Sequence, residues 1–311
     1  MFIQQKHRQT LNKVRAAFAA LSDRNTLLLL RVPFSYYLFP VFLFGISQAT
    51  NIHAIKLFIV LIAQHFFIYP GSNIYNSYMD KDEGAIGGLE KPPPVTKEMY
   101  YVSMIFDIAG LLLCSLAGWG LVLVMLGYIG FSKSYSWYGI RLKKYPVLGW
   151  LSVMFFQGGY TFMQGNMAAT DMVSMAWFTP QHVEGMLFAS LIIGGSYPLT
   201  QVYQHEEDGE RGDYTISYKL GIKGTFIFTS IFFTAGALVA LHYFITYYSA
   251  TQFIIFFVCL TPVAAYFSNW FLKTLKDNAN ADYKHAMFMN KISATCMIVC
   301  FMIITYLNLI H

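Results

Sequence analysis

The sequence predicts an all-α protein of the membrane, a bundle of nine transmembrane helices without a second, soluble domain. Hydrophobic residues make up 56% of its 311 positions and aromatic residues 18%, whereas charged residues make up only 12%. A soluble domain has about 25% charged residues. Apolar runs of roughly 20 residues, the length that crosses a bilayer, recur from one end of the chain to the other. Lys and Arg collect in every second connection between these runs, as the positive-inside rule requires of a multi-pass protein.

The nine predicted spans follow the apolar runs in order along the chain. Their bounds are 27–48, 54–75, 100–118, 120–138, 147–167, 184–203, 222–246, 252–272 and 287–308. We assign 1–26 to a cytoplasmic N-terminal segment and 27–311 to the transmembrane domain. With the N-terminus in the cytoplasm, nearly all bases lie inside, Lys56 being the exception, and the C-terminus lies on the opposite side. The expected location is a bacterial inner membrane.

Charge and cysteine content exclude other classes. The net charge of +5 does not indicate a nucleic-acid partner, because the bases follow the membrane topology. Four cysteines all fall within apolar runs and lack the close pairs of a zinc or redox motif; they are Cys114, Cys259, Cys296 and Cys300. The predicted partner of most of the surface is therefore the lipid bilayer.

The polar loop after the second span carries the first candidate site, in the stretch NSYMDKDEG (76–84). If the second helix continues through it, Asn76, Asp80 and Glu83 share one helical face. Asp82 then points elsewhere, and Gly84 helps to end the helix. Converging amide and carboxylate oxygens suit a Mg²⁺ ion that keeps open positions for a phosphate. A solvated interfacial loop explains the same charges about equally well.

A second acidic cluster follows the sixth span, in YQHEEDGERGDYTISYKLG (203–221). Gln204 and Asp208 stand one helical turn apart, and Glu207 lies beside them. The predicted topology places both clusters on the cytoplasmic side of the membrane. Two such clusters on one face could hold two metal ions on a single diphosphate, which makes a metal site the stronger interpretation of the pair.

Together these residues resemble the UbiA superfamily of intramembrane prenyltransferases. Its members carry an NxxxDxxxD motif after the second helix and a DxxxD motif after the sixth, in a nine-helix bundle. The first motif reads Asn76-xxx-Asp80-xxx-Gly84 in this sequence, and the second reads Gln204-xxx-Asp208 and continues into RGDYTISYKLG. The stretch YSWYGIRLKKYPVLG (135–149) is similar to the family's tyrosine-serine and Arg-x-Lys signature after the fourth helix.

The sequence departs from the family pattern at two of the four expected metal carboxylates. Gly84 replaces the last aspartate of the first motif, and Gln204 replaces the first aspartate of the second. Each motif has a glutamate nearby: Glu83 precedes Gly84, and Glu207 precedes Asp208. Glu83 and Glu207 are therefore candidates to substitute for the two missing carboxylates.

The resemblance implies Mg²⁺-dependent transfer of a prenyl group from an isoprenoid diphosphate to a hydrophobic, aromatic acceptor in the membrane. It implies three catalytic residues, Asp80, Asp208 and Lys143. The implied metal ligands are Asn76, Asp80, Glu83, Glu207 and Asp208. The implied diphosphate and substrate contacts are Asn76, Lys91, Arg141, Lys143, Gln204, Tyr135, Tyr160 and Tyr197. For the bases, the alternative is positive-inside anchoring; for the tyrosines, the expected role is to stabilise an allylic cation.

Ionisable and polar residues at membrane depth are the remaining candidates, because such residues usually face the interior of a bundle. We expect four of them to line the cavity: Arg31, Asp107, Lys133 and Lys291. The two lysines have the alternative of reaching the membrane interface. The fifth span carries the polar residues Gln157, Tyr160, Thr161, Gln164 and Asn166. They either contact the acceptor or form hydrogen bonds between helices.

Other functions stay open at the level of sequence. A terpene cyclase of the same family would ionise the same diphosphate and capture the cation within the chain of the substrate. A non-catalytic relative that binds an isoprenoid lipid would explain the replacements at Gly84 and Gln204. A solute transporter is less favoured, because the charges cluster on one face and transporter sites lie near the bilayer midplane.

Overall fold

The computed structural model describes residues 15–49 and 51–310, and in that part of the chain it contains helices and no β-strands. Of the predicted N-terminal segment 1–26, residues 1–14 lie outside the described residues. Ten helices follow from residue 24 onward. They are α1 (Arg24–Ser47), α2 (Ala54–Asp80), α3 (Glu98–Ser115), α4 (Trp119–Ser136), α5 (146–170), α6 (Pro180–Leu199), the short α7 (His205–Arg211), α8 (Ile216–Tyr247), α9 (Ala250–Lys276) and α10 (Tyr283–Ile310).

Six of these helices are long and apolar enough to cross a membrane, namely α1, α2, α3, α8, α9 and α10. The prediction of a multi-pass helical membrane protein is therefore confirmed. The other three predicted spans coincide with α4, α5 and α6, which are helical but less uniformly apolar. The count of nine transmembrane helices stays a prediction.

Four helices that line the site described below are locally irregular. In α1 the helix breaks at Arg31, which takes a left-handed conformation (φ 47°) two residues before Pro33. Helices α2 and α5 contain π-helical stretches, Ala63–Ile68 and Met154–Tyr160. In α8 the chain kinks at Gly221, whose φ of 66° favours glycine. Such irregularities often accompany functional sites in helices.

Small residues bring α1 and α5 into close contact. A Cβ atom added at Gly45 or at Gly165 would lie well under 3.0 Å from a backbone carbonyl oxygen of the facing helix. The Asn166 side chain donates to the Gly45 carbonyl oxygen across the same crossing, at 2.9 Å. Close packing of this kind is the usual way in which membrane helices associate. It fixes α5 against α1 and thereby sets one wall of the bundle.

Candidate active site

A polar cavity of about 220 Å³ lies at one end of the bundle, where α2, α4 and α6 end and α8 begins. It gathers acidic and basic side chains that are far apart in the sequence. The charged residues that line it are Asp80, Asp82, Asp208, Asp213, Arg31 and Lys143. The two acidic motifs therefore meet in one cavity, so that Asp80 and Asp208 lie on the same side of the bundle.

The first motif is positioned by the end of α2. Asp80 is the last helical residue, and Lys81 caps the helix in a left-handed conformation (φ 53°). The side chain of Asp80 is only 4% exposed. Its Oδ2 accepts a hydrogen bond of 2.7 Å from Nδ2 of Asn76, which also donates to Ser136 at 2.8 Å. The helical spacing of Asn76 and Asp80 thus places both at the cavity, and α4 holds the amide in orientation.

The prediction for the residues after Asp80 was wrong, because the helix does not continue through them. The left-handed turn at Lys81 redirects the chain, so that Asp82 lines the cavity instead of pointing elsewhere. Glu83 is exposed and is not a lining residue. A change of backbone handedness at one residue is invisible to a helical-wheel argument. No sequence signal other than the adjacent Gly84 could have suggested it.

The second motif is held by one local hydrogen bond and one bond to the first loop. Thr215, the residue that caps the N-terminus of α8, donates to Oδ2 of Asp208 at 3.3 Å. The amide of Gln204 donates to the carbonyl oxygen of Ala85 at 3.0 Å and so ties the second motif to the first loop. Burial raises the pKa of Asp208 to about 7, an effect that the Lys143 ammonium group partly offsets. Burial raises a carboxyl pKa because it disfavours the charged form.

Lys143 connects the two motifs electrostatically. Its ammonium nitrogen lies 2.8 Å from Oδ1 of Asp80 and 3.1 Å from Oδ2 of Asp213. Asp213 also accepts two hydrogen bonds from the guanidinium group of Arg141, at 3.1 and 2.8 Å. Burial alone would lower the pKa of Lys143, but the charges of Asp80 and Asp213 outweigh it and raise this pKa. The ammonium group therefore stays protonated.

Asp213 is a site residue that the sequence prediction missed. Its side chain is 3% exposed, and burial would raise its pKa, yet its bonds with Arg141 and Lys143 hold the pKa below the ordinary value. The available signal was the pair of bases in the Arg-x-Lys signature. Two bases beside a site need a counter-charge, and Asp213 in the stretch RGDYT is one of the acidic residues close to the second motif that the prediction left unassigned.

Glu207 does not line the cavity and instead connects the two motif loops. Its Oε1 accepts hydrogen bonds from the backbone amides of Glu83 at 3.1 Å and Gly84 at 3.3 Å. Arg211 pairs with this carboxylate at 2.6 Å and also with Asp82. A Cβ atom at Gly84 would lie well under 3.0 Å from the Glu207 carboxylate, so this side chain would have to shift to admit one. We refer to Asp82, Glu83, Gly84, Glu207 and Arg211 as the loop clasp.

The aromatic candidates separate into two groups. Tyr135 and Tyr197 line the cavity, and their hydroxyl groups are hydrogen-bonded to each other. Gln201 donates to the hydroxyl of Tyr197 at 2.9 Å. Tyr160 is directed away, because its hydroxyl donates to the carbonyl oxygen of Val124 on α4. Lys91 is exposed and is not brought to the cavity.

Only Arg31 of the four ionisable residues at membrane depth lines the cavity. It is 8% exposed and donates to the carbonyl oxygens of Gly87 and Asn73, at 2.9 and 3.1 Å. The expectation was wrong for the other three. Lys133 and Asp107 form an ion pair of 2.8 Å between α4 and α3. Lys291 is exposed on α10.

The polar residues of the fifth span serve mainly to connect helices. Gln157 alone lines the cavity. Gln164 accepts a hydrogen bond from Gln64 of α2 at 2.8 Å, and the hydroxyl groups of Thr161 and of Tyr69, also on α2, are hydrogen-bonded at 3.4 Å. Asn166 bonds to α1, as described above. The interpretation of this run as hydrogen bonding between helices is confirmed for these members.

An apolar cavity of about 300 Å³ lies between α1, α6, α8, α9 and α10. Residues that line it and residues that line the polar cavity are neighbours in sequence along α1 and at the end of α6. Tyr37 and Leu199 line the apolar cavity, and their neighbours in sequence, Leu38 and Thr200, line the polar one. A molecule with a charged head and an apolar tail fits such a pair of compartments.

The donor set of the polar cavity fits a hard cation shared with a phosphate. It offers carboxylate and amide oxygens from Asp80, Asp82, Asp208 and Asn76 and no thiol or imidazole. In the described part of the chain, no three acidic, histidine or cysteine side chains stand close enough to form a closed metal site. Mg²⁺ keeps several waters and is commonly bound by one or two carboxylates together with substrate phosphates.

The helical bundle with its charged cavity is consistent with an intramembrane enzyme. The sequence model of the UbiA prenyltransferase family matches residues 37–292, and the chain belongs to that family of prenyltransferases. The resemblance inferred from the acidic motifs is thus confirmed. No curated protein matches the sequence.

Solved structures of the same fold cover nearly the whole chain. A UbiA homologue from Archaeoglobus fulgidus bound to DMAPP and Mg²⁺ is 16% identical, with a TM-score of 0.64 over 91% of this chain and 99% of that one. The same homologue bound to GPP and Mg²⁺ is 17% identical, with the same TM-score and coverage. A digeranylgeranylglyceryl phosphate synthase is 20% identical, with a TM-score of 0.60 over 91% and 98% of the two chains. At these identities the likeness shows the fold.

Proposed function

We propose that this prenyltransferase uses Mg²⁺ to transfer the prenyl group of an isoprenoid diphosphate to a membrane-associated aromatic acceptor. One observation carries the proposal: Asp80 at the end of α2 and Asp208 in α7 line the same polar cavity as Lys143, and a second, apolar cavity lies within the bundle. The diphosphate occupies the polar cavity and the isoprenoid chain the apolar one. The similar structures bound to DMAPP and GPP with Mg²⁺ support this choice of donor.

Each site residue has a defined part in the proposed reaction. Asn76, Asp80 and Asp208 would hold the metal, which would neutralise the diphosphate and make it a better leaving group. Lys143 contacts the diphosphate. The bond between the allylic carbon and the diphosphate oxygen breaks, and its electron pair goes to the diphosphate. The faces of Tyr135 and Tyr197 stabilise the allylic cation. The acceptor ring then forms the new carbon–carbon bond and loses a proton.

Other predicted contacts receive no part in this proposal. Glu83 and Lys91 are exposed, Glu207 belongs to the loop clasp, and Tyr160 bonds to α4. Gln204 contributes by positioning, through its bond with the first loop. Arg141 acts through Asp213, which it pairs with at 2.8 Å, and is not itself a lining residue of the cavity.

We also propose the orientation that the sequence indicates. The polar cavity opens at the ends of α2 and α6, the side on which Lys and Arg collect. The positive-inside rule makes this side cytoplasmic, with the N-terminal segment 1–26 there and the C-terminus opposite. A bacterial inner membrane provides this topology and a supply of water-soluble diphosphate on the cytoplasmic side.

Turnover by purified protein tests the proposal. Full-length protein in detergent or in lipid nanodiscs is supplied with a panel of prenyl diphosphates and aromatic acceptors, with and without Mg²⁺. We expect prenylated acceptor only with Mg²⁺. We expect Asp80→Asn and Asp208→Asn each to lose more than about 90% of the activity, since residues that act as a unit give large single-site effects. Near-normal turnover by both variants would contradict the site assignment.

The same assay without an acceptor separates transfer from cyclisation. A terpene cyclase would release a cyclic hydrocarbon or alcohol from the prenyl diphosphate alone. A transferase requires the acceptor for product formation. Lys144→Met is a suitable control, because Lys144 is the exposed neighbour of Lys143 and is not a lining residue of the cavity. It should keep the activity of the unmodified protein.

A further inference from the structure

Lys143 stands where a metal ion would have to bind. Its ammonium nitrogen lies 2.8 Å from Oδ1 of Asp80, and the carboxylate has its other oxygen occupied by the amide of Asn76. One oxygen of Asp80 is thus hydrogen-bonded to Asn76, and the other faces the ammonium group of Lys143. A divalent cation can use Oδ1 only if it displaces or outcompetes the lysine.

The surroundings make this contact strong. The side chains of Lys143 and Asp80 are 12% and 4% exposed, so that solvent screens their attraction little. Charges that attract each other in a buried site interact far more strongly than they do in water. The positive charge of Lys143 also repels any cation that approaches Asp80.

Asp213 keeps Lys143 at the cavity when the ion pair between Lys143 and Asp80 is broken. Its Oδ2 lies 3.1 Å from the ammonium nitrogen, and the guanidinium group of Arg141 fixes the same carboxylate with two hydrogen bonds. A planar guanidinium group holds a carboxylate in one orientation. Lys143 can therefore turn from Asp80 toward a phosphate oxygen while it remains bound to Asp213.

We propose that Lys143 acts as an internal counter-cation of Asp80. When the ammonium group of Lys143 moves to the diphosphate, Asp80 becomes free to bind the metal, and Asp213 is the positioning residue that keeps Lys143 at the cavity during this exchange. The inference rests on the proposed function. It adds that metal and diphosphate promote each other's binding at this site. Metal alone competes with Lys143, whereas metal with diphosphate gives the lysine a new partner.

The two ligands then respond in opposite directions to the loss of Lys143. Lys143→Met keeps the length of the side chain and removes its charge. Without diphosphate, we expect Mn²⁺, a probe for the metal site, to bind at least about tenfold more tightly, because the removed charge is in contact with the ligand oxygen. In EDTA, we expect inorganic pyrophosphate to bind at least about tenfold more weakly.

The measurements use full-length protein in detergent. Electron paramagnetic resonance of free Mn²⁺ gives the metal affinity, and calorimetric titration gives the pyrophosphate affinity. Lys144→Met removes the same charge one residue away and should leave both affinities within about twofold of the unmodified protein. Lys143→Arg retains the charge and should keep the weak binding of Mn²⁺. Thermal unfolding shows that each variant is folded.

Three results would overturn the inference. The first is an unchanged or weaker affinity of Lys143→Met for Mn²⁺. The second is an equal gain in Lys144→Met, which would reflect net charge alone. The third is tighter Mn²⁺ binding that persists when Lys143→Met is combined with Asp80→Asn, since Asp80 would then not be a ligand of the bound Mn²⁺. Any of these, in a protein that transfers prenyl groups, leaves the proposed function intact. An unmodified protein that binds neither Mn²⁺ nor pyrophosphate when both are supplied together would overturn both.

Discussion

Gly84→Ala should destabilise the protein, although alanine is normally the more stabilising residue. A Cβ atom at this position would lie well under 3.0 Å from Oε2 of Glu207. The glutamate would have to move, and it would then lose its hydrogen bonds with the amides of Glu83 and Gly84 and its alignment with Arg211. The substitution thus tests whether the loop clasp stabilises the fold.

The magnitude follows from the bonds that the clasp contains. A hydrogen bond to a charged group contributes about 1.5–3 kcal/mol when it is buried. The two bonds from amides to Glu207 are 3.1 and 3.3 Å long, and its side chain is 22% exposed, so each contributes less than that. We expect Gly84→Ala to lower the free energy of unfolding by about 1–3 kcal/mol.

The sign should reverse when Glu207 is removed. Gly84 does not have a left-handed backbone conformation, so alanine can adopt its φ without strain. Replacing such a glycine by alanine raises stability by about 0.4–1 kcal/mol, because the unfolded chain loses freedom. In a Glu207→Ala background, Gly84→Ala should therefore be neutral or stabilising by about that amount. Glu207→Ala alone should destabilise.

Chemical unfolding in detergent, followed by tryptophan fluorescence, measures all four proteins of this double-mutant cycle. Gly130→Ala is the matched control, because Gly130 lies in α4 with no other atom within 4 Å of its added Cβ. It should stabilise slightly. Destabilisation by Gly84→Ala to the same extent with and without Glu207 would refute the account of the loop clasp.

Two further predictions concern the bundle. Asp107→Ala should lower the free energy of unfolding by about 3–5 kcal/mol, because it leaves the ammonium group of Lys133 buried without its carboxylate partner. The double variant Asp107→Leu with Lys133→Met should recover most of this loss in the same unfolding assay. A double variant as unstable as Asp107→Ala would contradict the pairing. Gly165→Ala should reduce the yield of folded protein in size-exclusion chromatography, because its Cβ would overlap the carbonyl oxygen of Phe42 and neither backbone can yield. A normal yield would show that α1 and α5 can separate.

The fold could be predicted from the sequence because each long helix coincides with a run of apolar residues. Each predicted span overlaps a helix of the structure, from 27–48 against Arg24–Ser47 to 287–308 against Tyr283–Ile310. The bounds differ by a few residues, since helices such as α8 extend beyond the apolar run, where polar residues continue the helix. Hydropathy indicates which residues contact lipid, whereas a helix ends at the residue where its backbone hydrogen bonds end. The two limits therefore need not coincide.

The site could be predicted only in part. Asp80, Asp208 and Lys143 were predicted to share a site from motif spacing and loop position, which are properties of the sequence, and they line one cavity. Asp82 and Asp213 were missed because their placement depends on tertiary structure. Asp82 faces the cavity because Lys81 takes a left-handed backbone conformation. Asp213 forms ion pairs with Arg141 at 2.8 Å and Lys143 at 3.1 Å, two bases about 70 residues away in the chain.

These two residues also explain how the cavity keeps its acidic character despite the departures from the family motifs. Glycine at 84 and glutamine at 204 each remove a carboxylate, yet Asp82 and Asp213 bring the number of carboxylates that line the cavity to four. Two bases, Arg31 and Lys143, line the cavity with them. Two more, Arg141 and Arg211, are not lining residues but pair with Asp213 and Asp82. Acids and bases around the cavity are thus equal in number, and in the described part of the chain Asp80 and Asp208 are the lining carboxylates that form no salt bridge with an arginine. These two are the carboxylates that a divalent cation would use, so the altered motifs are compatible with a metal-dependent transferase.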